Sequence, residues 1–324
     1  MAGHDHARHD HGNHDHGHGH GHHHGVGGHS HAPASFGRAF AIGMALNLGY
    51  VAAAVFYGLA AHSLALLADA GHNLGDVLGL GAAWLASVLV RRRPTARYTY
   101  GLGGTSILAA LGNAVLLLIV TGGIAWEAIR RLIEPQPAGG TTIMVVAAVG
   151  IVVNGATALL FASGRKGDLN IRGAFLHMAA DVGLALGVVV AGGLILLTGW
   201  QWLDPLVSLV VSVVIVVGTW GLLRDSVKLS LNAVPPGIDE REVEGHLGRL
   251  PGVAEVHDLH VWGLSTTDTA LTAHLVLADG VDGEALLRRL PSEMQERFGI
   301  GHVTVQIESA ETARACELRS DHVV

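Results

Sequence analysis

One thiol, Cys316, is all the cysteine that 324 residues contain, so no internal disulfide framework can hold the chain together. Charge is scarce as well: 15% of the residues are charged, against 50% from the apolar set. That balance is too greasy for an ordinary soluble protein and indicates a membrane-embedded one. A His-Glu-x-x-His phrase is absent, which weighs against a zinc hydrolase built on one helix. The first apolar stretch lacks a small-residue cleavage pattern and follows about thirty polar residues, so it is expected to be retained rather than removed as a signal peptide. The formal net charge of −7 argues by itself neither for nor against nucleic acid, and no nucleic-acid partner is expected.

What is present is a series of six apolar stretches long enough to span a bilayer: roughly 36–61, 64–90, 105–129, 142–162, 175–197 and 206–223. Their Gly and Ala content suits close helix packing where lipid supplies no hydrophobic drive. Basic residues cluster in alternate connections, with Arg91, Arg92, Arg93 and Arg97 after the second stretch, Arg165, Lys166 and Arg172 after the fourth, and Arg224 and Lys228 after the sixth. Across the membrane stand Arg130 and Arg131, offset by Glu127 and Glu134. The positive-inside rule therefore puts both termini of this multi-pass chain in the cytoplasm, and the cell or plasma membrane is its expected location.

The chain divides into four parts: a tail over 1–32, a six-helix membrane domain over 33–228, a soluble domain over 229–310 and a short C-terminal tail over 311–324. The first is a low-complexity tract of His, Gly and Asp that cannot build a core. Its histidines, His4, His6, His9, His11, His14, His16, His18, His20, His22, His23 and His24 among them, suit a loose metal-capturing arm. In the soluble part, Pro235-Pro236-Gly237 breaks the chain and Asp239 is placed to cap a helix through Leu250. Alternating runs over 254–264 and 269–277, a helix over 283–298 and a last strand over 302–308 predict a compact α+β unit with helices on one face of a three-stranded sheet.

Within the apolar segments one phrase occurs twice: His72 with Asp76, and His177 with Asp181. A helix puts positions i and i+4 on one face, so each phrase aims an imidazole and a carboxylate the same way. Ionisable groups at that depth cost several kcal/mol unless paired or bound, which marks them as functional. Brought together, the two pairs supply two nitrogens and two oxygens, a tetrahedral zinc-type set. With neutral imidazoles the set carries two negative charges that a divalent cation offsets, and without metal it should take up protons, so metal and protons compete for one site. Asp69 shares the stripe of His72 and Asp76; it could orient a ligand imidazole, carry a proton or contact a helix end, and the first is expected. Asn47, Asn113 and Asn154 are expected to bond across to neighbouring helices.

In the soluble domain His257, His274 and Glu308, with Cys316 beyond, could form a regulatory metal site. His257 and His260 differ by an odd number and should face opposite sides of the sheet unless a bulge intervenes. His246 and His302 are expected to be ordinary surface histidines.

These residues resemble the cation diffusion facilitator family of zinc-type efflux transporters. The matching stretches are the run from Ser63 to His72 with Asp76 beyond, Arg172 to His177 with Asp181, Asp204-Pro205, and Val256 to Trp262, which reads Val-His-Asp-Leu-His-Val-Trp. The resemblance implies an α-helical membrane protein of six transmembrane helices with a C-terminal cytoplasmic α+β ferredoxin-like domain. It implies a homodimer in the bilayer that exchanges cytosolic divalent metal for outside protons, with no enzymatic chemistry and no organic cofactor. His72, Asp76, His177 and Asp181 would then be the transport ligands. The His form of the first ligand position points to Zn(II), with Cd(II) or Co(II) tolerated, rather than manganese. The loop from Arg91 to Tyr100 has no His, Asp or Glu, so a further site found there in some members is not expected; Gln306 replaces a histidine that others use for a binuclear cytoplasmic cluster. A membrane metal sensor and an intramembrane zinc metalloenzyme are the alternatives.

Overall fold

The structure is a computed structural model, and it describes residues 38–90, 92–162 and 169–319. The histidine-rich tail, with His4 through His24, and the basic residues Arg91, Arg165 and Lys166 lie outside the described residues.

Six long helices occupy the apolar stretches: α1 (Arg38–Ala60), α2 (Leu64–Val90), α3 (Thr105–Ile133), α4 (Gly140–Ala162), α5 (Leu169–Thr198) and α6 (Leu203–Ser230). Among the described residues, five are long and apolar enough to cross a membrane. The remaining long helix, α2, has the length as well and carries Asp69, His72, Asn73 and Asp76 in its first half. The count of six spans expected from the sequence is therefore approximate.

Packing follows small residues. α4 lies along α5, α3 along α6, and α2 touches α1, α3 and α6. Gly140 and Gly192 let α4 and α5 meet backbone to backbone: a Cβ on Gly192 would stand 3.0 Å from the Gly140 carbonyl oxygen, and one on Gly140 would stand 2.9 Å from that of Gly192. The start of α2 is held from another helix. Asp204, in the first turn of α6, accepts the Leu64 N–H at 2.7 Å and the Ala65 N–H at 3.3 Å, and also the Ser63 hydroxyl at 2.6 Å. Ser63 in turn accepts the Leu66 N–H at 3.2 Å, so the orphan donors of the α2 terminus are satisfied although buried. This pins the register of the helix that carries His72 and Asp76.

The C-terminal domain runs α7 (Glu240–Leu247), β1 (Val253–Gly263), β2 (Thr269–Leu277), α8 (Gly283–Phe298), β3 (Ile300–Glu308) and α9 (Ala310–Ala315), then a 3-10 turn over Glu317–Arg319. Asp239 caps α7 by accepting the Arg241 N–H, as its position suggested, but the helix ends at Leu247, with Gly248 as its cap, rather than running to Leu250. The sheet order is β1-β2-β3, antiparallel and then parallel, with α8 as the crossover. Leu271, Ala273 and Leu275 of β2 pack with Val243, Leu247, Leu286, Leu290 and Met294 of the helices in one core. The alternate residues of β2, including His274, therefore face the opposite side of the sheet, where α9 packs on β2 and β3. The β1–β2 turn also meets the membrane domain: the Thr266 N–H donates to Ser106 Oγ at 3.0 Å, beside the start of α3.

Replacing Asp204 with Ala should strip the cap from α2 and destabilise the purified protein by about 0.5–2 kcal/mol. A lowered thermal unfolding midpoint in detergent checks this, and Asp204→Asn should keep part of the loss from appearing.

Candidate metal centre

α2 and α5 bring the two copies of the repeated phrase face to face. His72 Nε2 lies 2.8 Å from Asp181 Oδ1, and His177 Nε2 lies 3.1 Å from Asp76 Oδ1. Within each helix the imidazole is farther from its own i+4 carboxylate, 3.7 Å for His72 to Asp76 and 3.8 Å for His177 to Asp181. Nitrogen and oxygen thus alternate around a small ring, and one ligand atom from each residue lies within 4.8 Å of all the others. The imidazoles meet edge to face, with centroids 5.6 Å apart. This is the donor set a tetrahedral divalent cation takes, and no helix could present it alone.

Burial across the ring is uneven. The side chains of His72 and Asp181 are 13% and 1% exposed, whereas those of Asp76 and His177 are 22% and 29% exposed. Asp76 stands one helical turn beyond His72 along α2 and His177 one turn before Asp181 along α5, so the two more exposed residues form one edge of the ring. On the other side it is closed by polar contacts that sequence reasoning did not single out. Tyr50 of α1 donates its hydroxyl to Asp69, and the Asn73 amide donates to the Asp69 carbonyl oxygen at 2.9 Å. The Asn154 amide of α4 reaches Asn73 Oδ1 at 3.4 Å. Asp69 is therefore held by Tyr50, one helical turn from His72. Tyr50 carried no signal of its own, since one tyrosine in an apolar helix looks like any interfacial aromatic.

The asparagines divide. Asn113 donates across to the Gly75 carbonyl oxygen at 3.1 Å, and Asn154 also bonds to a neighbouring helix. Asn47 does not, contrary to expectation; its amide turns back to the Gly43 carbonyl at 3.1 Å, four residues earlier on the same helix.

A second cluster lies on the face of the C-terminal sheet opposite α7 and α8, beneath α9. His257 and His274 are direct partners across β1 and β2. His274 Nδ1 is 3.3 Å from His257 Nε2, 3.2 Å from Glu308 Oε1 and 3.6 Å from Cys316 Sγ. These four residues again present one ligand atom each within 4.8 Å. Glu308 is nearly inaccessible, and the Gln306 amide donates to its Oε1 at 2.7 Å. Cys316 arrives there because α9, capped by Ser309, folds back over the sheet and Arg319 clasps Glu255 with two bonds of 3.0 and 2.8 Å.

Two local expectations change. β1 is bulged between His257 and His260, with Asp258 in the left-handed region at φ 52°, so three steps on β1 match two on β2 and both histidines fall on the same face. His246 is buried rather than exposed, and its Nε2 pairs with Glu293 at 2.9 Å between α7 and α8.

Comparison with known proteins places both halves. Residues 40–229 match the family described as "Cation efflux transmembrane domain", and residues 235–310 match "Cation efflux protein, cytoplasmic domain". The chain is 32% identical to the "Cadmium, cobalt and zinc/H(+)-K(+) antiporter" of Bacillus velezensis, over 86% of this chain and 91% of that protein. It is 34% identical to the "Metal cation efflux system protein CzcD" of Cupriavidus metallidurans, over 87% and 90%. It is 36% identical to the "Zinc transporter ZitB" of Escherichia coli K12, over 81% and 84%.

A Cβ at Gly150 of α4 would overlap the Tyr50 hydroxyl, while one at Gly155 of the same helix meets nothing within 4 Å. Gly150→Ala should therefore push Tyr50 off Asp69 and lower both the unfolding midpoint and divalent-cation flux in proteoliposomes, with Gly155→Ala near wild type. Overpacking of this kind costs about 1–3 kcal/mol.

Proposed function

This chain belongs to the cation efflux family, the cation diffusion facilitators, and we propose that it exports Zn(II) from the cytoplasm in exchange for protons, using His72, Asp76, His177 and Asp181 as the transport ligands. It is a multi-pass membrane transporter and not an enzyme, in keeping with the transporters and antiporters among its relatives. The observation that carries the finer reading is the alternating ring of imidazole and carboxylate across α2 and α5.

The physical argument is one of charge. Two carboxylates and two neutral imidazoles hold a net charge that a divalent cation cancels, so the loaded site is cheaper to bury than the empty ionised one. An empty site offsets the same cost by taking up protons, which makes the two occupants exclusive. The more exposed pair, Asp76 and His177, would mark the side of the ring that is open to the cytoplasm in an inward-facing state. Rocking of the helices would then close that side and open the other, where protonation releases the ion. The N-terminal histidines would raise the local metal concentration without being required for the cycle.

Zn(II) suits the mixed nitrogen and oxygen set, with Cd(II) and Co(II) as further cargo, the ions that the Bacillus relative's name carries. The soluble domain, matched to a family unit that bears on dimerisation, would join two copies on the cytoplasmic side of the cell membrane. Its cluster of His257, His274, Glu308 and Cys316 would bind a regulatory metal ion there.

In inverted vesicles under a proton gradient, Asp181→Ala should abolish zinc uptake while the protein still folds by thermal melting. Retained uptake would refute the four-ligand site. A binding protein that only senses metal would show zinc binding with no zinc-dependent proton movement. Across a cation series, uptake should be strongest for zinc, weaker for cadmium and cobalt, and weakest for manganese.

A further inference from the structure

Resting on the reading of the cytoplasmic cluster as a metal site, we propose that Asp258 is its positioning residue, a carboxylate that fixes the His274 ring with Nδ1 free to bind metal. His274 faces two ways. Nδ1 looks into the cluster, toward Glu308, His257 and Cys316, while Nε2 points the other way and lies 3.5 Å from Asp258 Oδ2. An imidazole that ligates through one nitrogen needs its proton on the other, and a carboxylate beside that nitrogen holds the tautomer, aims the ring and raises its basicity.

The backbone is shaped for this contact. Asp258 would ordinarily point from β1 toward the helical core, since His257 before it faces the cluster. The bulge and the left-handed φ of 52° turn its side chain instead toward the histidine face. There its Oδ1 meets His260 Nε2 at 2.9 Å and its Oδ2 turns to His274. The Asp258 side chain is 11% exposed and that of His260 is 42% exposed, so His260 is the outer partner and holds the carboxylate at the solvent edge. Asp is among the few residues that adopt the left-handed region at modest cost, which suits it to a bulge that must also carry a charge.

A direct test uses the single thiol. Because Cys316 is the sole cysteine, a thiolate-to-cobalt charge-transfer band on titrating the full-length protein with Co(II) reports this cluster alone, whatever the N-terminal histidines bind. Asp258→Gly adopts the bulge backbone freely but removes the carboxylate. It should raise the half-saturating Co(II) about 10–100-fold while leaving the metal-free unfolding midpoint near wild type. Asp258→Asn, whose side-chain carbonyl still accepts from Nε2–H, should fall between the two. A normal wild-type band with unchanged Gly titration would overturn the positioning role alone, as would an affinity loss matched by lost metal-free stability. A wild-type protein with no such band would overturn the cluster reading itself and the proposal with it.

Discussion

Two carboxylates cannot sit in the apolar middle of a helix bundle without partners, and that constraint organises the membrane domain. Asp76 and Asp181 lie where ionised groups cost several kcal/mol, and each meets the imidazole of the opposite helix. The cross-pairing is closer than either pair within a helix, so α2 and α5 complete each other. Everything that holds their register serves this contact: Asp204 capping the start of α2, Asn113 on the Gly75 carbonyl, and Tyr50 on Asp69. Gly140 and Gly192 let α4 approach α5 closely.

The soluble domain solves a related problem with a sheet. One face buries leucines against α7 and α8, which leaves the other free to gather His257, His274 and Glu308 beneath α9. Here the groups are held by strand register and by a folded-back segment rather than by facing helices. The turn that joins β1 and β2 touches the start of α3, so the strands carrying the cluster also reach the transport helices.

The elements were largely legible because their physics is local. Strand β2 and helix α8 fall where their periodicity put them, and the long apolar runs mark α1 to α4 within four residues, while α5 begins six residues earlier and α6 runs seven residues further than the apolar run alone. The four polar residues of the repeated phrase, His72, Asp76, His177 and Asp181, stood out as well, because His and Asp in an apolar stretch have few cheap explanations. Less local features did not. Asp258 and His260 came to the His257 face through a bulge, which strict alternation cannot show. Cys316 reached the cluster through α9 and the Arg319–Glu255 clasp, contacts between segments distant in the chain. Asn47 turned to its own helix because a short amide can reach the carbonyl four residues back as readily as a neighbour.

By itself, then, the sequence determined which stretches are apolar enough to span a membrane, that a mixed helix-and-strand segment follows them and which side chains are too polar to lie idle among apolar neighbours, since composition and periodicity act over a few turns. Only the tertiary structure decided which imidazole meets which carboxylate, which members of the ring are the more exposed, and that one bulged aspartate stands behind His274. Those outcomes depend on helix register and strand geometry, and these are set by packing between parts of the chain that no local pattern connects.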